Sequence, residues 1–331
     1  MRITKINKNN IKMCAELIYK EKKNYYDYLF KNASFVLEKA LSLNIPPFLS
    51  ENSIVLENED GEVLGILLYA TKEAFRHRYE RWFRILGLKV LGTGIKLASV
   101  IGQILIDFST DDVYIISLVG KTPDITAELL YILIRQFEFS RIITDILEEE
   151  VEKYKNLGFI LSGKPNKIMT RMFRTTRYRT ISGIGWDTHP TTKNKKLFLG
   201  GVQIPADFGL EGHSDADVII HSIIDSIVGV SLQKDIGELF PKSVTPKGFS
   251  SKKMLLDVLR LVKEKGFFPI NVDCVIISGF MLGKFRTQIS ESLTSILKCP
   301  VSLKFKTGNN IYPESEGKCI TAFCVTDMIS I

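Results

Sequence analysis

Apolar residues along this chain fall in short blocks, and the period of the blocks switches between that of strands and that of helices. Ser53 to Leu56 and Val63 to Tyr69 are strand-like, and Glu59-Asp60-Gly61 between them is a hairpin signal. Val113 to Val119 reads as another strand. From Ile125 to Phe137 the apolar residues Leu129, Ile132, Leu133 and Phe137 share one side of a helix. Arg141 to Leu147 follows as a strand, Glu148 to Leu157 as a short helix stopping at Gly158, and Lys167 to Phe173 as a last strand. The second half alternates more clearly. Thr180 to Asp187 and Leu197 to Ile204 read as strands. Ser214 is expected to cap a helix reaching about Val230, with Asp217 completing a capping box. A helix over Ser250 to Lys265 ends at Gly266, and Asn271 to Ser278 is a strand. Thr287 to Lys298 is a helix, and Val301 to Lys306 and Cys319 to Thr326 are closing strands.

These elements predict an α/β fold class in two domains, residues 1–175 and 176–331. The run holding Arg171, Arg174, Arg177 and Arg179 among threonines reads as a solvated connector. A length of 331 residues, 45% of them hydrophobic, is enough for two cores. The formal net charge is +7, with lysine and arginine dispersed among acids. That pattern favours an anionic small molecule over nucleic acid as the partner. The stretch Ile85 to Phe108 is apolar but carries Lys89, Lys96 and Asp107, so it is expected to be a buried or amphipathic helix rather than a membrane span. The N-terminus has no apolar signal core, which points to a cytoplasmic protein. Five cysteines with no CxxC pair are read as idle thiols of a reducing compartment, without a disulfide frame.

The chemistry gathers around histidines. Of four, His77 lies in a basic patch of the first half, while His189, His213 and His221 lie close together in the second. Asp187 and His189 are two apart, so on a strand they face one side. His221 falls on the predicted helix between Asp217 and Asp225, a turn from each, placing all three on one face. One carboxylate and two imidazoles leave a fourth tetrahedral position open, the pattern of a catalytic zinc site. A polar helix face is the alternative reading of Asp217 and Asp225.

Three blocks surround these residues: Gly200 to Pro205 (GGVQIP), Gly212 to Val218 (GHSDADV) and Asp235 to Pro241 (DIGELFP), preceded by Gly185-Trp186-Asp187-Thr188-His189 and followed by Asn271-Val272-Asp273. In this order and spacing, over about 150 residues, the chain resembles the 2-C-methyl-D-erythritol 2,4-cyclodiphosphate synthases of the methylerythritol phosphate route to isoprenoids. The resemblance implies that Asp187, His189 and His221 ligate a divalent metal, usually zinc, with Asp225 supporting them. It implies that His213 and Ser214 contact the diphosphate substrate, that Asp235 and Gly237 hold it, and that Lys304 and Thr307 serve its phosphates. It further implies a homotrimer with sites between subunits, a second magnesium or manganese ion, and a metal-dependent cyclisation that releases CMP.

The chain departs from that family in three places, one being the missing arginine before Glu316-Gly317, where Glu314 stands nearby. Lys304 to Asn310 keeps Lys304 and Thr307 of a Lys-Ala-Thr-Thr-Thr-Glu run, but Asn309 stands near the place of the glutamate. The cytosine loop is replaced by the shorter Gly279 to Lys284. Two readings fit: a cyclase with altered nucleotide contacts, or a repurposed metal- and phosphate-binding protein. In layout, the first half resembles the GCN5-related N-acetyltransferases. Its Gly120 to Thr126 loop, with one glycine, a proline and an aspartate, is poor for holding a pyrophosphate. A third reading, an acyltransferase fused to a trimeric scaffold, rests on that likeness.

Overall fold

The structure, a computed structural model, describes residues 1–29, 32–44, 48–71, 112–137, 140–163, 169–175, 178–193 and 195–331. His77, Arg177 and the apolar stretch 85–108 lie outside the described residues. The chain divides into two compact units, Met1–Arg177 (with Ile331) and Tyr178–Ser330. Both are mixed α/β.

The first unit starts with β1 (Arg2–Thr4) and helices α1 (Ile11–Glu21), α2 (Lys23–Leu29) and α3 (Ala33–Ser42). It continues with β2 (Ser53–Glu57), β3 (Val63–Thr71), β4 (Asp112–Gly120), α4 (Pro123–Gln136), β5 (Arg141–Leu147), α5 (Val151–Asn156), β6 (Ile160–Gly163) and β7 (Met169–Thr175). The strands form one sheet in the order β1-β2-β3-β4-β5-β7-β6, antiparallel except for β4 beside β5. Alternation along β3 sorts its two faces. Ile66 and Leu68 join the core with Ile18, Leu37 and Leu41 of α1 and α3, while Gly65 packs against Ile125 and Leu129 of α4.

The parallel pairing of β4 with β5 ends at Ile115 and Thr144. Past it, charged side chains take over the backbone. Lys22 Nζ donates to the Asp145 carbonyl at 3.3 Å, and Lys153 Nζ donates to the Leu118 carbonyl at 3.4 Å. Arg171 pairs with the Asp145 carboxylate, both nearly buried, and Tyr114 donates to it as well. At the start of α4, Thr122 holds the cap position without a side-chain bond, and the Gly120 N–H is taken by Thr126 Oγ1.

The second unit runs β8 (Arg179–Lys193), β9 (Leu197–Leu199), β10 (Val202–Ile204), β11 (Phe208–Leu210), α6 (Val218–Ser231), α7 (Ile236–Leu239), α8 (Ser251–Glu264), β12 (Phe267–Ile277), α9 (Arg286–Leu297), β13 (Val301–Lys306) and β14 (Cys319–Ser330). Five strands make a sheet in the order β11-β8-β14-β12-β13, with β12 and β13 parallel. Side chains of α6, α8 and α9 share one apolar core with inward residues of the sheet, such as Val272, Ile276, Leu303, Ile320 and Met328. On β8 the residues under α6 are Gly183 and Gly185, and a Cβ at either would lie 1.9 Å from a backbone carbonyl oxygen of α6. Strand and helix therefore meet backbone to backbone.

Four expectations need correction. Arg171 and Arg174, read as part of a solvated connector, are buried on β7, where Arg171 pairs with Asp145 and Arg174 donates to the Leu157 carbonyl. The run 197–204 is two strands, because Gly200 and Gly201 take positive φ and turn β9 back along β10. Ser214 does not cap α6: Ala216 has φ +58, which breaks any helix reaching back to Ser214, and Asp217 is the cap. Cys274 and Cys324, expected to be idle, face each other across β12 and β14 and form a disulfide with Cα atoms 4.2 Å apart. Their separation of 50 residues gave no spacing signal, since the pairing is made by strand register. Among the described residues no helix is long and apolar enough to cross a membrane.

Candidate metal centre

Strand β8 points Asp187 and His189 to the α6 side of the sheet, and α6 presents His221 from its first turn. The three side chains converge. Asp187 Oδ2 lies 3.0 Å from His189 Nε2 and 2.9 Å from His221 Nδ1, and the two nitrogens are 3.1 Å apart. Ligands of a tetrahedral first-row ion bonded at about 2.0–2.1 Å are separated by roughly 3.3 Å. The donor set and its spacing therefore fit a divalent ion with little movement.

Neighbouring groups aim the ligands. Asp187 Oδ1 accepts the Thr188 N–H at 2.9 Å, which leaves Oδ2 to face the imidazoles. Burial alone raises the Asp187 carboxyl, but hydrogen bonds to His189 and His221 outweigh it and bring it down to about 2. The ionised form is thus favoured, as a metal ligand requires. Gly212 packs at the His189 ring, where an added Cβ would come within 3.2 Å of it.

The other acids of this region serve elsewhere. Asp217 does not share the face of His221. It is fully buried and accepts N–H bonds from Gly200 (2.9 Å), Gly201 (2.7 Å) and Ile220 (3.1 Å), tying the β9–β10 turn to the start of α6. Burial pushes its carboxyl up, opposed by those three donors. Asp225, expected to support the ligands, uses its Oδ1 to accept the Ile236 N–H at 2.8 Å and so anchors α7 to α6. Burial raises the Asp225 carboxyl despite that bond, with the charges of Asp187 and Asp235 adding to the rise.

The remaining site residues fall into two groups. Near the triad, Ser214 Oγ lies 3.0 Å from His221 Nε2, and His213 Nε2 lies 2.6 Å from the Thr245 carbonyl, to which it must donate. Asp235 caps α7 by accepting the Glu238 N–H at 2.8 Å, and Gly237 sits inside that turn. Lys304 and Thr307 are apart from these. Lys304, on β13, pairs with Asp273 at 2.6 Å, and Thr307 follows the same strand. β13 is three strands from β8, about 14 Å at ordinary strand spacing, so one chain alone does not bring them to the triad. Two residues escaped the sequence reading: Ser251 Oγ lies 2.9 Å from His221 Nε2, and Asp215 accepts from Ser251.

Residues 180–329 match the YgbB family. A 2-C-methyl-D-erythritol 2,4-cyclodiphosphate synthase of Thermotoga neapolitana is 38% identical over 145 residues, covering 43% of this chain and 88% of that protein. The chain belongs to the cyclodiphosphate synthase family. A second member, the 2-C-methyl-D-erythritol 2,4-cyclodiphosphate synthase of Clostridium acetobutylicum, is 47% identical over 117 residues, covering 35% of this chain and 76% of that one. Family membership makes the chain a lyase of the cyclodiphosphate synthase type, related to the methylerythritol phosphate route to isoprenoids. An N-acetyltransferase from Staphylococcus aureus Mu50 is matched over 53% of this chain and all of that one at 16% identity, with a TM-score of 0.40.

Proposed function

We propose that the second unit closes the ring of 4-diphosphocytidyl-2-C-methyl-D-erythritol 2-phosphate to give the 2,4-cyclodiphosphate and CMP. The convergence of Asp187, His189 and His221 on one tetrahedral position carries this reading, together with family membership. An oxygen of the 2-phosphate attacks the β-phosphorus, the bond from that phosphorus to the bridging oxygen breaks, and CMP leaves with the oxygen. A divalent ion in the triad, zinc in this proposal, supplies a Lewis acid to the diphosphate, with a magnesium or manganese ion as its second partner. The protein's own work is positioning and charge neutralisation. His213 and Ser214 border the metal position and contact the diphosphate, Asp235 and Gly237 hold the substrate, and Lys304 and Thr307 meet its phosphates.

The last pair comes from a neighbouring subunit of a homotrimer. Two observations support that assembly. Lys304 and Thr307 lie too far from the triad within one chain. The sheet face away from the helices also exposes Ile184, Trp186, Phe323 and Val325, with Trp186 and Phe323 directly paired across β8 and β14 at 6.2 Å between rings. Such a contiguous apolar patch is a contact surface in search of a partner. Light scattering on the full chain is expected to give three chains per particle, and Trp186→Glu to lower that number. A wild-type monomer at micromolar concentration contradicts the trimer.

Asn309 tunes the activity. It takes a left-handed conformation and accepts from Thr307 Oγ1 at 3.4 Å, but as an amide it brings no negative charge for a second cation. Losing one charge-assisted contact costs about 1.5–3 kcal/mol, or roughly tenfold to a hundredfold in rate when the contact acts in the transition state. Wild-type turnover is expected to be slow, to need high magnesium or manganese, and to discriminate weakly between cytidine and uridine substrates. Asn309→Glu is expected to recover about tenfold or more. An unchanged rate in that variant contradicts this role for position 309.

A further inference from the structure

Each nitrogen of His221 has its own neighbours. Nδ1 faces the other two ligands, while Nε2 lies 2.9 Å from Ser251 Oγ and 3.0 Å from Ser214 Oγ. We infer that Ser251, held by Asp215, is a positioning residue that accepts the His221 Nε2–H, turns Nδ1 toward the metal position and leaves the Ser214 hydroxyl hydrogen for substrate. The inference rests on the metal reading of Asp187, His189 and His221.

The direction of each hydrogen bond follows from chemistry. Asp215 grips Ser251 twice: Oδ2 accepts the Ser251 N–H at 3.0 Å, and Oδ1 accepts the Ser251 hydroxyl. A carboxylate only accepts, so the Ser251 hydrogen is committed to Asp215. Ser251 Oγ then has only lone pairs to offer His221, and Nε2 must carry the imidazole hydrogen. With Nε2 held as a donor to Ser251, the ring is turned so that Nδ1 faces Asp187 Oδ2 at 2.9 Å and is the nitrogen that gives its lone pair to an ion placed there. Ser251 is fully buried, so no bulk water competes for Nε2 there.

Ser214 is the second neighbour of Nε2, but its part is different. Its oxygen accepts the Ala216 N–H at 3.0 Å. With Nε2 already a donor, Ser214 cannot donate to it. Its hydrogen is free for a phosphoryl oxygen arriving beside the metal. The three residues thus divide the labour: Asp215 orients Ser251, Ser251 orients His221, and Ser214 is released toward substrate.

The test is zinc affinity of the full chain, read by chelator competition with zinc ion alone. Loss of such a supporting hydrogen bond typically weakens metal binding by about 10–100-fold, and Ser251→Ala is expected to do so. Ser251→Thr, which keeps the hydroxyl, is expected to restore binding to within a few-fold of wild type. Ser226→Ala, on α6 with His221 and bonded to Thr326 at 2.6 Å, is expected to leave affinity unchanged. Should Ser251→Ala not fold, Asp215→Ala reads the same couple through the freed Ser251 hydroxyl. Wild-type zinc affinity in folded Ser251→Ala overturns the inference. Failure of the wild-type chain to take up zinc overturns the metal reading instead.

Discussion

His221→Ala is expected to leave the purified protein nearly free of metal, whereas the unaltered chain is expected to carry about one zinc-like ion per chain. Three donor atoms meet at separations of 2.9 to 3.1 Å, and the nearby acids already hold backbone N–H groups. Asp217 is committed to three backbone N–H groups and Asp225 to the Ile236 N–H. Removal of one imidazole therefore leaves a two-ligand site with no replacement, and the affinity falls by more than the roughly 100-fold typical of losing a supporting residue. Asp225→Asn, which keeps an acceptor for Ile236, is expected to retain the ion. Metal content by plasma mass spectrometry after dialysis against a weak chelator decides it. Full retention in His221→Ala shows that the ion, if bound, sits elsewhere.

Gly185→Ala has the largest expected effect on folding. Its Cβ would lie 1.9 Å from the Ser222 carbonyl oxygen and 2.6 Å from the Ser226 nitrogen, both backbone atoms of α6. Overpacked cores usually lose 1–3 kcal/mol by shifting side chains, and here only the helix itself can yield. A loss above about 3 kcal/mol is expected. Because α6 carries His221 while β8 carries Asp187 and His189, any molecules that fold by pushing the helix outward should also bind metal more weakly. Denaturant titration gives the first quantity and zinc competition the second. A loss below about 1 kcal/mol with normal zinc binding shows that the helix has room to move and that backbone contact does not set the site.

Much of this was legible in the sequence. The alternating apolar blocks located most strands and helices from Ser53 onward, and the DxH pair with a helical histidine pointed to the three side chains that converge, because strand and helix periods fix which residues share a face. Position-by-position roles depended on the neighbouring blocks rather than on the ligands themselves. Helices α1 to α3 went unread, although Cys14, Ala15 and Ile18 of α1 are buried; polar and aromatic residues crowd their periodicity. The cap of α6 was misplaced by three residues because the positive φ of Ala216 has no sequence signal in an alanine. Ser251 and Asp215 were invisible for a different reason. They approach His221 only when the start of α8 packs beside α6, and a serine opening a helix looks like an ordinary helix start. The disulfide shares that character, since register alone sets Cys274 opposite Cys324.

The central claim is that Asp187, His189 and His221 serve a ring closure that expels CMP. The most direct measurement follows 4-diphosphocytidyl-2-C-methyl-D-erythritol 2-phosphate by phosphorus NMR, with the full chain, zinc and excess magnesium. The account predicts equal amounts of CMP and cyclodiphosphate, formed slowly by the wild type, at a rate raised by Asn309→Glu, and absent in His221→Ala. Intact substrate after long incubation with the zinc-loaded wild type and with Asn309→Glu would contradict it, and would favour a protein that keeps the metal and the phosphate groups for another purpose.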